Sequence, residues 1–386
     1  MVSKTELIGR ARELAPTVAQ QASVIDRQNA VPAALIAEFC DAGFMKIFVP
    51  KRYGGFELDY SAMAGIVNTI AQSDCSTAWV LAFFVGHNFL HALFPEKSQE
   101  EAFGGRSFAL TPGNAAPTYT LTPTDGGYLA TGQSSWNSGS SAAEWYLCGG
   151  LIKTEGAPPE HRLFLIPASE VTPIANWDVI AMCGTASNDI EAKGVFVPAH
   201  RTALASTILE GRGPGALLHP NPMYSMPVLP FIQGEVLPIV VGAYRAMADE
   251  FRRMTEGRIS AHSGLAVGTK QTSQIKIAKG LGGASLAEVM LADYTAMLTS
   301  GNYDWLRPIA VRSEMKVRCA LMVDYCANGI NELMKAAGAN AFRLASPLQR
   351  FFRDINMLRV HGYLDLDSAC ETYGRILQGL PPQAPL

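Results

Sequence analysis

The feature that most constrains this chain is a change of hydrophobic repeat that occurs twice along its length. Residues 1–105 carry apolar side chains at helical spacing, residues 106–222 break into short β-prone runs, and residues 223–386 return to long helical repeats. The pattern predicts an α+β protein with three parts: an N-terminal helical domain, a middle β-barrel or sandwich domain, and a C-terminal four-helix bundle.

In the first part, Val31-Pro32 followed by Ala34, Leu35 and Ala37 predicts a helix start, because proline suits the first turn. Asp41-Ala42-Gly43 predicts its stop. Further helices are expected over Ser61–Ser73 and Ser76–Leu93. In the middle part, the runs Tyr128–Thr131, Trp145–Cys148, Arg162–Ile166 and Gly194–Val197 are separated by turn residues and predict antiparallel strands, with a hairpin turn at Gly126-Gly127. Residues 206–224 read as a linker rich in Gly, Pro and His. Four long helices are expected at Gln233–Thr255, Gln271–Thr299, Arg307–Ala337 and Pro347–Tyr363. A small β domain between helical ones makes clefts at the boundaries, where cofactors commonly sit.

The net charge of −3 shows no basic excess, so nucleic acid is not an expected partner. The longest apolar run, 78–86, is far below the roughly 20 residues of a membrane span. The polar, mixed-charge start does not resemble a signal peptide. Seven scattered cysteines without a CxxC pair suggest reduced thiols and a cytoplasmic protein.

Four segments carry candidate chemistry. In Gly132–Gly139, Trp136 offers a flat apolar face beside Ser138 and Gly139, which suits a flavin ring; a buried strand Trp with a polar turn is the alternative. In Trp177–Asn188, Gly184, Thr185 and Ser187 present backbone N–H groups and hydroxyls that suit a flavin or its phosphate, or an ordinary turn. In Phe83–His91, His87 and His91 lie four apart on one helix face, a metal-ligand spacing. With no HExxH glutamate and no third ligand, no metal is expected there. Phe83, Phe84, His87, Asn88 and His91 read instead as a pocket for an aromatic ring, or as core. The fourth segment runs from Arg350 through Arg353-Asp354 to His361 and on to Arg375.

In order and spacing these segments resemble the acyl-CoA dehydrogenase superfamily, and within it the two-component flavin monooxygenases. The marks are Leu110-Thr111-Pro112, Trp136 to Gly139, Trp177 to Ser187, and Arg350 to His361 with Tyr373-Gly374-Arg375. The resemblance implies a reduced flavin, FADH2 ahead of FMNH2, that reacts with O2 to a flavin hydroperoxide. It implies a separate NAD(P)H-dependent reductase and a homotetramer; Phe83, Phe84, Phe89 and Phe94 near His87, with no Arg or Lys in that stretch, favour a small neutral aromatic substrate such as indole or a phenol. Trp136, Ser138, Gly139, Gly184, Thr185 and Ser187 would hold the flavin, with Arg258 and Gln271 reaching its phosphates across a subunit boundary. His361 and Ser138 would support the oxygenated flavin, and His87 would contact the substrate. Arg353-Asp354 is followed by His361-Gly362, not by the dehydrogenases' Tyr-Glu-Gly-Thr, which argues against an acyl-CoA dehydrogenase. Oxygenation of nitrogen or sulfur, and a catalytically silent scaffold, are the other readings.

Overall fold

A computed structural model describes residues 2–260 and 263–383. The first helix, α1 (Lys4–Gln28), starts at a reciprocal cap. Ser3 Oγ accepts the Glu6 N–H at 3.2 Å, and Glu6 Oε2 accepts the Ser3 N–H at 2.6 Å. Helix α2 (Ala33–Asp41) begins after Pro32 and is followed by Gly43 at φ 83°, as proline and glycine at those positions dictate. Helices α3 (Tyr60–Ala71) and α4 (Cys75–His91) run through the main core, and α5 (Glu96–Phe103) closes the domain. Every residue of α4 except Phe83 is buried. Its polar side chains must therefore find partners inside the protein.

The middle domain is one seven-stranded sheet: β1 (Gly113–Thr124), β2 (Gly127–Asn137), β3 (Trp145–Ile152), β4 (Glu160–Pro167), β5 (Thr172–Ile174), β6 (Asn188–Pro198) and β7 (Thr202–Leu204). The order is β5-β6-β2-β1-β3-β4-β7, with β1 and β3 parallel and the other pairs antiparallel. All four expected runs lie inside strands. The sheet curls around a core of its own, in which Tyr119 of β1, Phe164 and Ile166 of β4 and Ile190 of β6 pack together, and it ends on β5 and β7, two edges of three residues each. Such short edges offer little backbone for further pairing. The hairpin loop is Asp125-Gly126, one residue earlier than expected, with Gly126 at φ 74° and Thr124 paired to Gly127.

The expected linker holds a short helix, α6 (Ala205–Leu209), whose Ile208 is buried in the core. The bundle follows: α7 (Val228–Thr255), α8 (Gln271–Leu298), α9 (Ile309–Ala337) and α10 (Pro347–Leu358). Helix α10 ends before Tyr363, so His361 sits in a turn. The charged segment beyond it forms α11 (Leu366–Leu377), capped by the Asp365 carboxylate on the Ser368 N–H at 2.8 Å. Pro238 interrupts α7 and has no N–H for the Gly234 carbonyl. The Tyr60 hydroxyl donates to that carbonyl instead, at 2.6 Å, joining α3 to α7. No helix among the described residues is long and apolar enough to cross a membrane.

Candidate active site

Helix α4, the sheet, α7 and the turn after α10 meet around a cavity of about 350 Å³. From α4, Trp79, Phe83, His87 and Leu90 line it as one helical stripe. The sheet and the 177–187 loop add Trp136, Ser138, Trp177, Thr185 and Ser187. Helix α7 contributes Gln233, and the last turn contributes His361. Among the described residues, none that lines it is an Asp, Glu, Lys or Arg.

Trp136 stands at φ 67°, a conformation a tryptophan adopts only when its surroundings impose it, and its ring meets Trp177 edge-on at 5.2 Å. Beside it runs a chain of hydroxyls. Trp79 Nε1–H donates to Ser138 Oγ at 2.9 Å, Ser138 and Ser187 are 2.8 Å apart, Ser187 and Thr185 are 2.7 Å apart, and Thr185 donates to the Met182 carbonyl at 2.8 Å. A carbonyl only accepts, so the Thr185 proton is spent there. Ser187 must then donate to Thr185, and Ser138 to Ser187. Every hydroxyl proton is committed in one direction. Ser138 therefore faces the cavity with a lone pair and no proton, so in this arrangement it can serve a ligand there as an acceptor and not as a donor.

His87 Nδ1 lies 2.5 Å from the Thr111 carbonyl, so Nδ1 carries the proton and Nε2 is left as an acceptor. Burial pushes the ring's pKa down to about 4 against the opposing pull of that hydrogen bond, so it is neutral at physiological pH. His361 is also pushed down by burial. Its Nδ1 accepts the Tyr363 N–H at 3.4 Å, which leaves Nε2 to carry the neutral ring's proton. The Trp79 and His361 rings meet edge-on at 5.6 Å.

The 177–187 loop is held from below by α10. Asp354 Oδ1 accepts the Met182 N–H at 2.6 Å, and Arg353 donates to the Ile180 carbonyl and to both oxygens of Asp26, at 2.8 and 3.1 Å. Burial first, and then the neighbouring carboxyl of Asp74, push Asp354 up to about 7.

Several expected residues stand elsewhere. Phe84 is turned to the Gly139 backbone; a Cβ on Gly139, at φ 86°, would come 2.7 Å from its ring. Asn88 ties α4 to the following segment through the Phe84 and Ala109 carbonyls and the Ala109 N–H. His91 pairs with Thr111 Oγ1 at 2.7 Å, and burial, then His87, push its pKa to about 3. Gly184 packs against Ile25 and Ser76, which leave no room for a side chain. These four residues, with Gly139, do not line the cavity. Arg258 donates to the Ala337 carbonyl at 3.0 Å and Gln271 is exposed at the start of α8, both away from the cavity of their own chain. The sequence reading missed Trp79 and Gln233. Trp79 shares the four-residue spacing of Phe83 and His87, a signal that was available; Gln233 left none.

Comparison with known proteins agrees with this architecture. Residues 4–100 match the acyl-CoA dehydrogenase N-terminal domain, and residues 236–365 match the acyl-CoA dehydrogenase C-terminal domain. The chain is 39% identical to a pigment production hydroxylase of Rhodococcus sp. (strain ATCC 21145), over 100% of this chain and 99% of that protein. It is 26% identical to the oxygenase component of p-hydroxyphenylacetate 3-hydroxylase of Acinetobacter baumannii, over 99% and 91%. The crystal structure of the HsaA monooxygenase from M. tuberculosis superposes with a TM-score of 0.89 at 26% identity, covering 99% of this chain and 100% of that one. The chain belongs to the acyl-CoA dehydrogenase superfamily, and among its relatives there are oxygenase components of flavin-dependent monooxygenases.

Proposed function

We propose that this protein is the oxygenase component of a two-component flavin-dependent monooxygenase that hydroxylates or epoxidises a small neutral aromatic molecule, such as indole or a phenol. The observation that carries the reading is the hydroxyl chain ending in a proton-free Ser138 oxygen. A reduced flavin bears a ring N–H that the oxidised ring lacks. Ser138 has a lone pair for that N–H and no proton to offer an oxidised ring nitrogen. The site thus favours the reduced cofactor, as a protein supplied by a separate NAD(P)H-dependent reductase requires.

Trp136, Ser138, Thr185 and Ser187 would hold the ring, and the bound reduced flavin would supply the electrons that activate O2. Apolar walls exclude water from the reacting face. His361 is the donor on one wall, through Nε2–H. His87 is the acceptor, taking the O–H or N–H of the substrate and raising electron density in its ring. The uncharged lining suits a neutral substrate, since a buried carboxylate would want a cationic partner. FADH2 is preferred to FMNH2 in this reading, with Arg258 and Gln271 meeting its phosphates from a neighbouring subunit. Exposed apolar residues on α8 and α9, among them Ile275, Leu286, Val289 and Leu321, fit a homotetramer packed through the bundle. All seven cysteines are unpaired, as in the cytoplasm.

The test mixes the protein with anaerobically reduced flavin, admits O2 and follows H2O2. Release should be slower than from free reduced flavin, and indole or phenol should divert the oxygen into product. Release as fast as from free flavin would sink the proposal. His87→Ala should abolish most product and keep the slow release, whereas His361→Ala should give H2O2 in place of product.

A further inference from the structure

We propose that Gln233 is a specificity-determining residue that reads a second neutral hydrogen-bonding group on the substrate. The preferred substrates are then arenes with two such groups. The proposal rests on the oxygenase reading above and deepens it.

Gln233 lies on α7, lines the same cavity as His87 and is only 3% exposed. Its Oε1 is sealed from solvent and meets no donor among the described residues. Native proteins rarely leave a buried amide in that state, because the lost solvation is not recovered. The protein around it supplies nothing. Its α7 neighbours on the cavity wall, Val228, Ile232 and Val236, are apolar. Two tyrosine hydroxyls reach this stretch of α7, and both give their protons to backbone: Tyr60 to the Gly234 carbonyl at 2.6 Å and Tyr294 to the Pro230 carbonyl at 2.7 Å.

The amide is therefore free to serve what enters the cavity. Its terminal torsion is soft and roughly two-fold, so it can turn either oxygen or N–H2 toward a ligand. His87 Nε2, by contrast, only accepts. A matched substrate offers an O–H or N–H to His87 and a hydroxyl, carbonyl or carboxamide to Gln233. Both groups are neutral, since no charged side chain among the described residues lines the cavity.

The probes are phenol and resorcinol, which differ by one hydroxyl. Their binding to the protein loaded with reduced flavin is measured anaerobically by calorimetry, so no turnover enters the readout. Resorcinol should bind about tenfold more tightly than phenol, the scale of one added hydrogen bond in a buried site. Gln233→Met, of similar shape, should bring the ratio close to one and keep phenol affinity within about twofold. A wild-type protein that binds both alike overturns the proposal, as does a preference that survives in Gln233→Met. Should the methionine variant lose phenol as well, Gln233→Asn withdraws the amide by one methylene, and an unchanged preference there overturns the proposal. Slow H2O2 release without any resorcinol preference defeats this inference and leaves the oxygenase reading intact; fast release defeats the oxygenase reading itself.

Discussion

Replacing Asp354 by asparagine should change how stability depends on pH. The carboxyl is buried and holds the Met182 N–H, so it anchors the loop that carries Thr185 and Ser187. The charged and titratable groups facing it are Asp74 from the start of α4, Asp26 from α1, and Arg353 from α10. Burial and Asp74 lift its pKa from an ordinary 3.8 to about 7, over the opposing pull of the Met182 N–H and Arg353. Between those two values the folded protein keeps a proton that the unfolded chain has released. Stability from this group is therefore fully present below 3.8, falls as pH rises, and levels off above 7. At about 1.4 kcal/mol per pH unit, the loss between about pH 5 and 8 is roughly 2–3 kcal/mol. Asparagine keeps an oxygen for the Met182 N–H and cannot ionise. Its stability relative to wild type should thus rise by roughly 2–3 kcal/mol over that window. For a chain of 386 residues this corresponds to about 3 °C in Tm. Scanning calorimetry of both proteins in steps from about pH 5 to 8 measures it. If the two Tm profiles run parallel, Asp354 does not carry a proton into the neutral range and the reasoning fails.

Two further outcomes follow from the same geometry. A Cβ on Gly86 would come 1.6 Å from Glu235 Oε1, a fully buried carboxyl with no partner on either oxygen among the described residues. Gly86→Ala should cost about 1–3 kcal/mol in denaturant unfolding, and Glu235→Ala in the same chain should recover most of it; no recovery would show that the two residues do not compete for this space. His87 is already neutral well above its pKa of about 4, so substrate affinity should show no inflection from it between about pH 6 and 8. An inflection that disappears in His87→Ala would show that the ring takes up a proton in this range and would contradict a neutral His87.

The repeat pattern alone determined the three-part layout, because burying one face of a helix or strand imposes a period of 3.6 or 2 on the sequence. Helices α3, α4, α8 and α9 begin and end within about two residues of where those periods put them. Residues Phe83, His87, Trp136, Ser138, Thr185, Ser187 and His361 were also legible, through local motifs and the family resemblance they carry. The strand order, which sets β1 beside β3 in parallel, was not, since strand runs specify pairing faces but not which strands become neighbours. Nor was the displacement of Phe84, Asn88 and His91 from the cavity. On a helix buried on nearly every side, neighbouring polar and aromatic residues look alike in sequence, and only the packing around α4 decides which of them faces a void. The direction of the hydroxyl protons was likewise decided in three dimensions. It follows from one carbonyl at Met182 lying within reach of Thr185, and a contact between a loop and its own backbone leaves no period in the sequence to read.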